Sequence, residues 1–309
     1  MHSSILVQSG RAMIEAGWLW AVFTLVASAA QTVRNATQRG LTATLGTVGA
    51  THVRFLFGFP FALVFLIVVA VVTGDAVPHP PVVFWPWILL GAGAQIAATA
   101  LMLAAMNDRS FVVVYAYIKT EAVQAALFGL IFLGDAVTPS AGAAILIATT
   151  GVVIMALKPG TAMDVRATLL GLAAGAMFAL SAVGYRGAIL SLALPSYIMA
   201  ATFTLVTGLF LQSVLLSLYL WQRDRPVLFA IIREWRPSLF AGFMGALASQ
   251  FWFLAFALAS VASVRTLALV EVLFAQAISR FVFKQATTAR ELLGVLLIVL
   301  GVALLLWAH

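Results

Sequence analysis

Cysteine is absent from the 309 residues. That excludes disulfides and thiolate metal sites and leaves the redox compartment unreadable. Charge is scarce: 9% of residues are charged, where a soluble domain carries about 25%. Acid is the scarcer sign, with 10 Asp and Glu against 17 Lys and Arg. The four histidines, His2, His52, His79 and His309, are scattered. No glycine-rich loop ends in Gly-Lys-Ser/Thr, which excludes an ATP motor within this chain, and no His-Glu-x-x-His zinc motif occurs. No Ser/His/Asp set falls in the apolar runs. The residues therefore predict neither an enzyme nor a cofactor or metal. No soluble domain or low-complexity segment is present.

Apolar residues fill the space left. They make up 63% of the chain, with a mean hydropathy of +1.10. So much apolar surface has nowhere to go in water, and the chain reads as an all-α integral membrane protein. The net charge of +7 would suggest nucleic acid in a soluble protein. Here the basic residues sit between apolar runs, so the expected partner is the anionic lipid bilayer and not a nucleic acid.

A helix needs about 20 apolar residues to cross the bilayer. Ten runs qualify, over 17–34, 45–72, 83–106, 111–132, 138–157, 168–189, 196–220, 238–259, 264–284 and 290–307. Turn and charge signals separate them, among them Arg39-Gly40, Pro78 to Pro81, Asn107 to Arg109, Gly134-Asp135, Lys158 to Gly160 and Arg223 to Pro226. Ala27-Ser28-Ala29 imitates a signal-peptide cleavage site. The run before it is read as a membrane helix, because the count over two halves needs it. In the long loop 221–237, apolar Leu228, Phe229, Ile231 and Ile232 between arginines predict a short helix on the membrane surface.

Tyr117 to Gly151 is echoed 150 positions later by Leu267 to Gly301. Without a gap, Glu121 falls on Glu271, Ala125 on Ala275, Thr138 on Thr288, Gly151 on Gly301 and, upstream, Ser110 on Ser260. Matches of Ala or Leu mean little in such a chain, but a match of buried acids does not arise from composition. The reading is two five-helix repeats, 1–158 and 159–309, of opposite orientation because five is odd, around a central cavity. Basic residues gather after predicted helices 1, 3, 5, 7 and 9, including Arg34, Arg39, Arg109, Lys158, Arg166, Arg223, Arg225 and Arg290. The opposite side has little beyond Arg11, Arg186 and Arg265. The positive-inside rule then puts both termini outside.

Ionisable groups within lipid are costly and face a bundle interior or a wet cavity. On the fourth predicted helix Tyr117, Glu121, Gln124 and Phe128 share one face, while Lys119 points nearly the other way. Two readings stand side by side: the Glu121 face lines a substrate path with Lys119 at an anionic contact, or the pair is a structural clamp. Glu271, among apolar neighbours, leans toward the clamp. His52 and Arg54 on the second helix are further ionisable candidates within a span, and Arg280 near a helix end can snorkel. The first helix carries a polar line, Trp20, Thr24, Ser28, Gln31 and Asn35, which lipid would not tolerate and which must turn inward. His52, Gln95, Thr99, Tyr185, Ser249 and Trp252 add hydrogen-bonding groups at similar depth. Such a lining suits a substrate with polar and apolar parts. Gly171 and Gly175 form a small-xxx-small face of little specificity. Trp18, Trp85, Trp87, Trp221 and Trp307 fall near helix ends, where interface anchors sit.

Glu121 to Gly129 (EAVQAALFG) and Phe132 to Thr138 (FLGDAVT) resemble the repeat of the drug/metabolite transporter superfamily, EamA type. Ala122 and Val272 stand where that family has proline, Asp135 replaces its glutamate, and Lys284-Gln285 replaces Gly-Glu in the second copy. The resemblance implies ten helices in two inverted halves, a multi-pass protein of the bacterial inner membrane, and termini often drawn as cytoplasmic, against the loop charge. The uncharged polar and aromatic lining leans toward the YddG-like branch, exporters of aromatic amino acids and amphipathic cations. The expected function is a secondary transporter, monomeric, exporting small metabolites, foremost amino acids, by alternating access. Nucleosides, sugars or organic cations are alternative substrates. An intramembrane enzyme, a lipid-handling protein and a passive channel are alternative classes. Under proton coupling Glu121 is the first candidate, because burial disfavours charge on a carboxylate.

Overall fold

Backbone groups in hydrocarbon have no water to bond, so a lipid-embedded chain of this composition must close its hydrogen bonds within helices. The computed structural model describes residues 2–108, 114, 117–156, 165–281 and 288–307, and no strand occurs among them. The helices are α1 (His2–Leu56), α2 (Gly58–Thr73), α3 (Phe84–Asp108), α4 (Glu121–Leu133), α5 (Pro139–Ala156), α6 (Val165–Ser191), α7 (Tyr197–Arg223), α8 (Arg225–Arg233), α9 (Trp235–Leu258), α10 (Val261–Leu267), α11 (Val270–Phe281) and α12 (Ala289–Trp307). Among the described residues, six helical stretches are long and apolar enough to span a bilayer. The chain is an all-α, multi-pass membrane protein. Ser110, Tyr115, Arg109, Lys158 to Gly160, Lys284 and Gln285 lie outside the described residues, as does the side chain of Arg280.

The first two predicted spans are divided differently from the expectation. Arg39-Gly40 is helical, and the break falls at Gly46, whose φ of 65° and ψ of 179° interrupt α1. A left-handed φ of this kind favours glycine. The chain folds back there, since Gln38 Nε2 donates to the Ala50 carbonyl at 2.7 Å; twelve residues of straight helix would hold them about 18 Å apart. Arg34 and Arg265, expected in loops, are instead buried at 2% and 6% exposure. Arg265 lies 3.7 Å from Glu121 Oε1, and Arg34 donates to its neighbour Asn35. Two of the charges used to assign orientation therefore belong to the interior.

Three long helix pairs frame the interior: α3 along α6, α1 along α9, and α5 along α12. Small residues set the spacing. A methyl on Gly184 of α6 would stand 2.5 Å from the Gly91 nitrogen of α3. Between α5 and α12, Gly151 abuts the Gly294 carbonyl and Ile298, and Gly301 abuts the Ala144 carbonyl and Ala148. Outward faces are apolar, with Val71 and Val72 of α2 and Leu296 and Leu300 of α12 exposed. Such faces suit lipid, not water.

Trp18, Trp85, Trp221 and Trp307 are exposed, whereas Trp87 turns inward against Gly187. α8 is the predicted short amphipathic helix. Asp224 accepts the Val227 N–H at 3.4 Å to start it. Ile231 is fully buried, Phe229 and Ile232 are exposed, and Val227 packs over Gly49. At one helix end Arg186 donates to the Ala259 carbonyl at 2.6 Å and to that of Phe256. It also lies 3.3 Å from Asp135. A guanidinium there satisfies the open carbonyls at the end of α9.

Candidate functional site

The fourth and ninth predicted spans are not continuous helices. Each breaks just before its glutamate. Tyr117–Lys119 is helical, Thr120 is a turn, and α4 starts at Glu121; α10 ends at Leu267, Ala268 and Leu269 form a turn, and α11 starts at Val270. Both breaks carry tight i to i−3 bonds: Thr120 N to Tyr117 O at 3.2 Å, and Leu269 N to Thr266 O at 3.1 Å. Glu121 and Glu271 thereby sit in first helical turns, where the N-terminal end of the helix dipole favours negative charge. The break also changes the direction of Lys119. On a straight helix it points away from Glu121; here its Nζ lies 4.0 Å from Glu121 Oε1.

The acids are paired crosswise. Lys119 Nζ donates to Glu271 Oε2 at 2.8 Å. Arg265 Nη1 lies 3.7 Å from Glu121 Oε1. Each glutamate thus meets a cation from the other broken segment. All four side chains are at least nine-tenths buried. Burial of charge is tolerated only with such pairing and further hydrogen bonds. Gln31 supplies two of these: its Nε2 donates to Glu271 Oε1 at 3.1 Å, and its Oε1 accepts from Trp252 Nε1 at 3.1 Å. The Arg265 guanidinium lies over the rings of Trp252 and Phe256, 4.8 and 5.3 Å from their centres. Cation–π contact stabilises a desolvated guanidinium.

Beside this network is a cavity of about 20 Å³, room for about one water. Gln31, Arg34, Asn35, Lys119, Glu121 and Arg265 line it over a floor of Met102, Ile118 and Phe178. Arg34 donates to Asn35 Oδ1 through Nη2 at 2.6 Å. Metabolite sites enclose several hundred Å³, and this cavity is far smaller.

A second polar cluster stands nearby. Gln95 Oε1 accepts from Tyr185 Oη at 3.1 Å and Gln212 Nε2 at 2.9 Å. Thr99 Oγ1 donates to the Gln95 carbonyl at 2.8 Å and accepts from Arg54 Nη1 at 3.3 Å.

Of the residues singled out from sequence, Gln31, Lys119, Glu121, Trp252 and Glu271 come together. Gln95, Thr99 and Tyr185 form the second cluster. Thr24 bonds its own helix at the Trp20 carbonyl, and Ser28 is buried with no partner for its hydroxyl among the described residues. His52 Nε2 pairs with Ser217 Oγ at 2.9 Å, apart from the cavity. Tyr117 packs on Gly171, and Gly175 meets the Ile118 carbonyl, so that small-residue face seats the broken segment. Ser249 is buried on α9. Arg54, singled out with His52, joins the second cluster through Thr99; the sequence reading missed Arg265, Arg34 and Gln212 as members of these clusters. A signal existed for Arg265, a rare charge six positions before the repeated glutamate, but it fell at the edge of its span.

No family model and no curated protein matches the sequence. Solved structures do match in fold, 28 chains in all. One of them, described as "Crystal structure of protein", aligns with a TM-score of 0.69 at 16% identity, over 96% of this chain and 99% of that one. The likeness establishes a shared fold along nearly the whole length of both.

Proposed function

We propose that the protein is a secondary transporter of small metabolites, built as ten helices in two inverted halves of the drug/metabolite transporter type and placed in a bacterial inner membrane. The observation that carries this reading is the crossed pairing of Glu121 and Glu271 at two broken helices. Discontinuous helices at corresponding positions of two halves mark the binding centre of inverted-repeat carriers. The packing supports the same symmetry. A shift of 150 positions carries α3 onto α9, α5 onto α12 and the first part of α1 onto α6. The α3–α6 pair thereby becomes the α9–α1 pair. Gly151 against Gly294 and Ile298 becomes Gly301 against Ala144 and Ala148. Each contact thus exchanges with its counterpart, as at an interface of two-fold character.

Alternating access follows from rocking of one half on the other. The ion pairs join the halves across the cavity, so opening toward either side must part or exchange them. Amino-acid export, expected from the lining, is the first activity to test. Proteoliposomes loaded with unlabelled threonine, methionine or phenylalanine should accumulate the labelled compound, and protein-free vesicles should not. Glu121→Gln removes the negative charge facing Arg265 at unchanged size. We expect its counterflow to fall about tenfold or more, the scale of a lost charge-assisted contact. With proton coupling through Glu121, the variant also loses pH dependence. Full transport with an unaltered pH profile in a well-folded Glu121→Gln would remove this role. Turnover of a lipid or peptide by the purified protein, with no counterflow, would replace the carrier by an enzyme.

A further inference from the structure

α8 and its two junctions carry their charge on the side that the protein leaves open. Residues 221–236 hold four arginines against Asp224 and Glu234. Arg223, Arg225, Arg233 and Arg236 are all exposed, and none of them is in an ion pair among the described residues. Asp224 is turned to the Val227 N–H at the start of the helix. Arg225, Phe229 and Ile232 recur at i, i+4 and i+7 and so share one face; all three are exposed. The other face is occupied. Ile231 is buried and Val227 packs over Gly49, just past the break at Gly46.

Tryptophan fixes the depth of the open face. α8 joins α7 and α9, each long and apolar enough to span a bilayer. Trp221 and Trp235 stand half exposed at the two junctions, and tryptophan at the end of a span marks the headgroup level. A guanidinium lies on each indole: Arg225 is 4.6 Å from the centre of the Trp221 ring and Arg236 is 5.4 Å from that of Trp235. Cation–π contact holds such a group in place before any ligand arrives. Arg225 Nε also donates to the Trp221 carbonyl at 2.9 Å, which leaves its two terminal nitrogens without a hydrogen bond among the described residues.

We propose that the open face of α8 binds the headgroups of anionic phospholipids. The Arg225 and Arg236 forks grip phosphate oxygens, Arg223 and Arg233 add charge beside them, and Phe229 and Ile232 sit among the acyl chains. A planar guanidinium engages two phosphate oxygens at once. Phosphatidylcholine offers the same phosphate but brings a quaternary ammonium, which the four arginines repel. The inference goes beyond the carrier reading and does not depend on which solute crosses. Because the inner face of α8 rests on Gly49, a bound headgroup also holds this helix against the break in α1.

The test titrates the full-length protein in detergent with phosphatidylglycerol or phosphatidylcholine of the same acyl chains and counts bound lipid by native mass spectrometry. Phosphatidylglycerol should bind about tenfold more tightly, the scale expected of a few arginines near a charged surface. Arg225→Gln with Arg236→Gln should remove most of that preference, and the corresponding pair of lysines should keep only part of it, since charge remains and the fork is lost. Equal binding of the two lipids by the wild type overturns the site, as does an undiminished preference in the glutamine variant. A lysine variant with the whole preference overturns the forked grip. Thermal unfolding in the same detergent checks that the variants are folded, and the wild-type comparison of the two lipids stands without them. In phosphatidylcholine vesicles, added phosphatidylglycerol should slow amide exchange across Val227–Ile231 in the wild type and not in the glutamine variant. Unchanged exchange in the wild type overturns the hold on α8. Counterflow enters none of these measurements, so their failure leaves the carrier reading untouched.

Discussion

Lys119→Met is expected to destabilise the protein by about 3–5 kcal/mol, the cost of stranding a buried charge. The substitution removes the ammonium 2.8 Å from Glu271 and keeps a chain of similar length. Gln31 still donates to Glu271, but a neutral donor does not replace the ammonium opposite a carboxylate at 2% exposure. Adding Glu271→Gln should restore most of the loss, because the amide oxygen can still accept from Gln31 and no charge is left exposed to an apolar interior. Unfolding in mixed micelles, followed by helicity, measures both variants. Single and double variants of equal stability would mean that the cost comes from lost lysine packing and not from an unpaired carboxylate. The same comparison bears on transport. A clamp alone predicts that the double variant regains activity with stability; a moving part of the carrier predicts a folded protein that stays inactive.

Gly184→Val should have the opposite sign of effect from Gly93→Ala, although both glycines lie on the interacting helices α6 and α3. A methyl on Gly184 would stand 2.5 Å from the Gly91 nitrogen, 2.8 Å from its Cα and 3.0 Å from the Trp87 carbonyl. Those atoms are backbone and cannot rotate away, so the two helices must separate along a tightly packed face. Overpacking of this kind costs about 1–3 kcal/mol, sometimes more, and the rigid neighbours place Gly184→Val at the upper end. Gly93 has nothing within 4 Å of an added methyl. There the gain in helix propensity, up to about 1 kcal/mol, should dominate. Thermal unfolding in detergent of the two variants beside the wild type reads both signs. A harmless Gly184→Val would mean that α3 and α6 are farther apart than described.

Membrane class, helical architecture and the pair of repeated glutamates were legible in the residues, because each depends on composition or on spacing along the chain. Hydrocarbon accepts only internally bonded backbone, so apolar runs specify helices whatever their partners. Rare acids stand out against an apolar background, so Glu121 and Glu271 could be picked by position alone. The inward turn of the Trp20 to Asn35 line follows from the same reasoning, and all its buried members face protein.

Tertiary structure decided which charges meet. Arg34 and Arg265 look like loop residues when only the sequence on either side is read, since a charge at the edge of an apolar run is ordinarily at the interface. Arg265 is interior because α4 brings it the Glu121 carboxylate and α9 the rings of Trp252 and Phe256, and Arg34 lines the cavity beside the amide of its neighbour Asn35. Periodicity likewise sent Lys119 away from Glu121, since it assumes an unbroken helix. The turn at Thr120 is a three-dimensional choice: tight local bonds and contact with Gly171 and Gly175 replace the regular ladder, and the two side chains close to 4.0 Å. Residue spacing encodes which face of a helix is polar. Only the packing of α1, α4, α9, α10 and α11 around one point determines that Lys119 serves Glu271 while Arg265 serves Glu121, and that Arg54 is left without a carboxylate among the described residues.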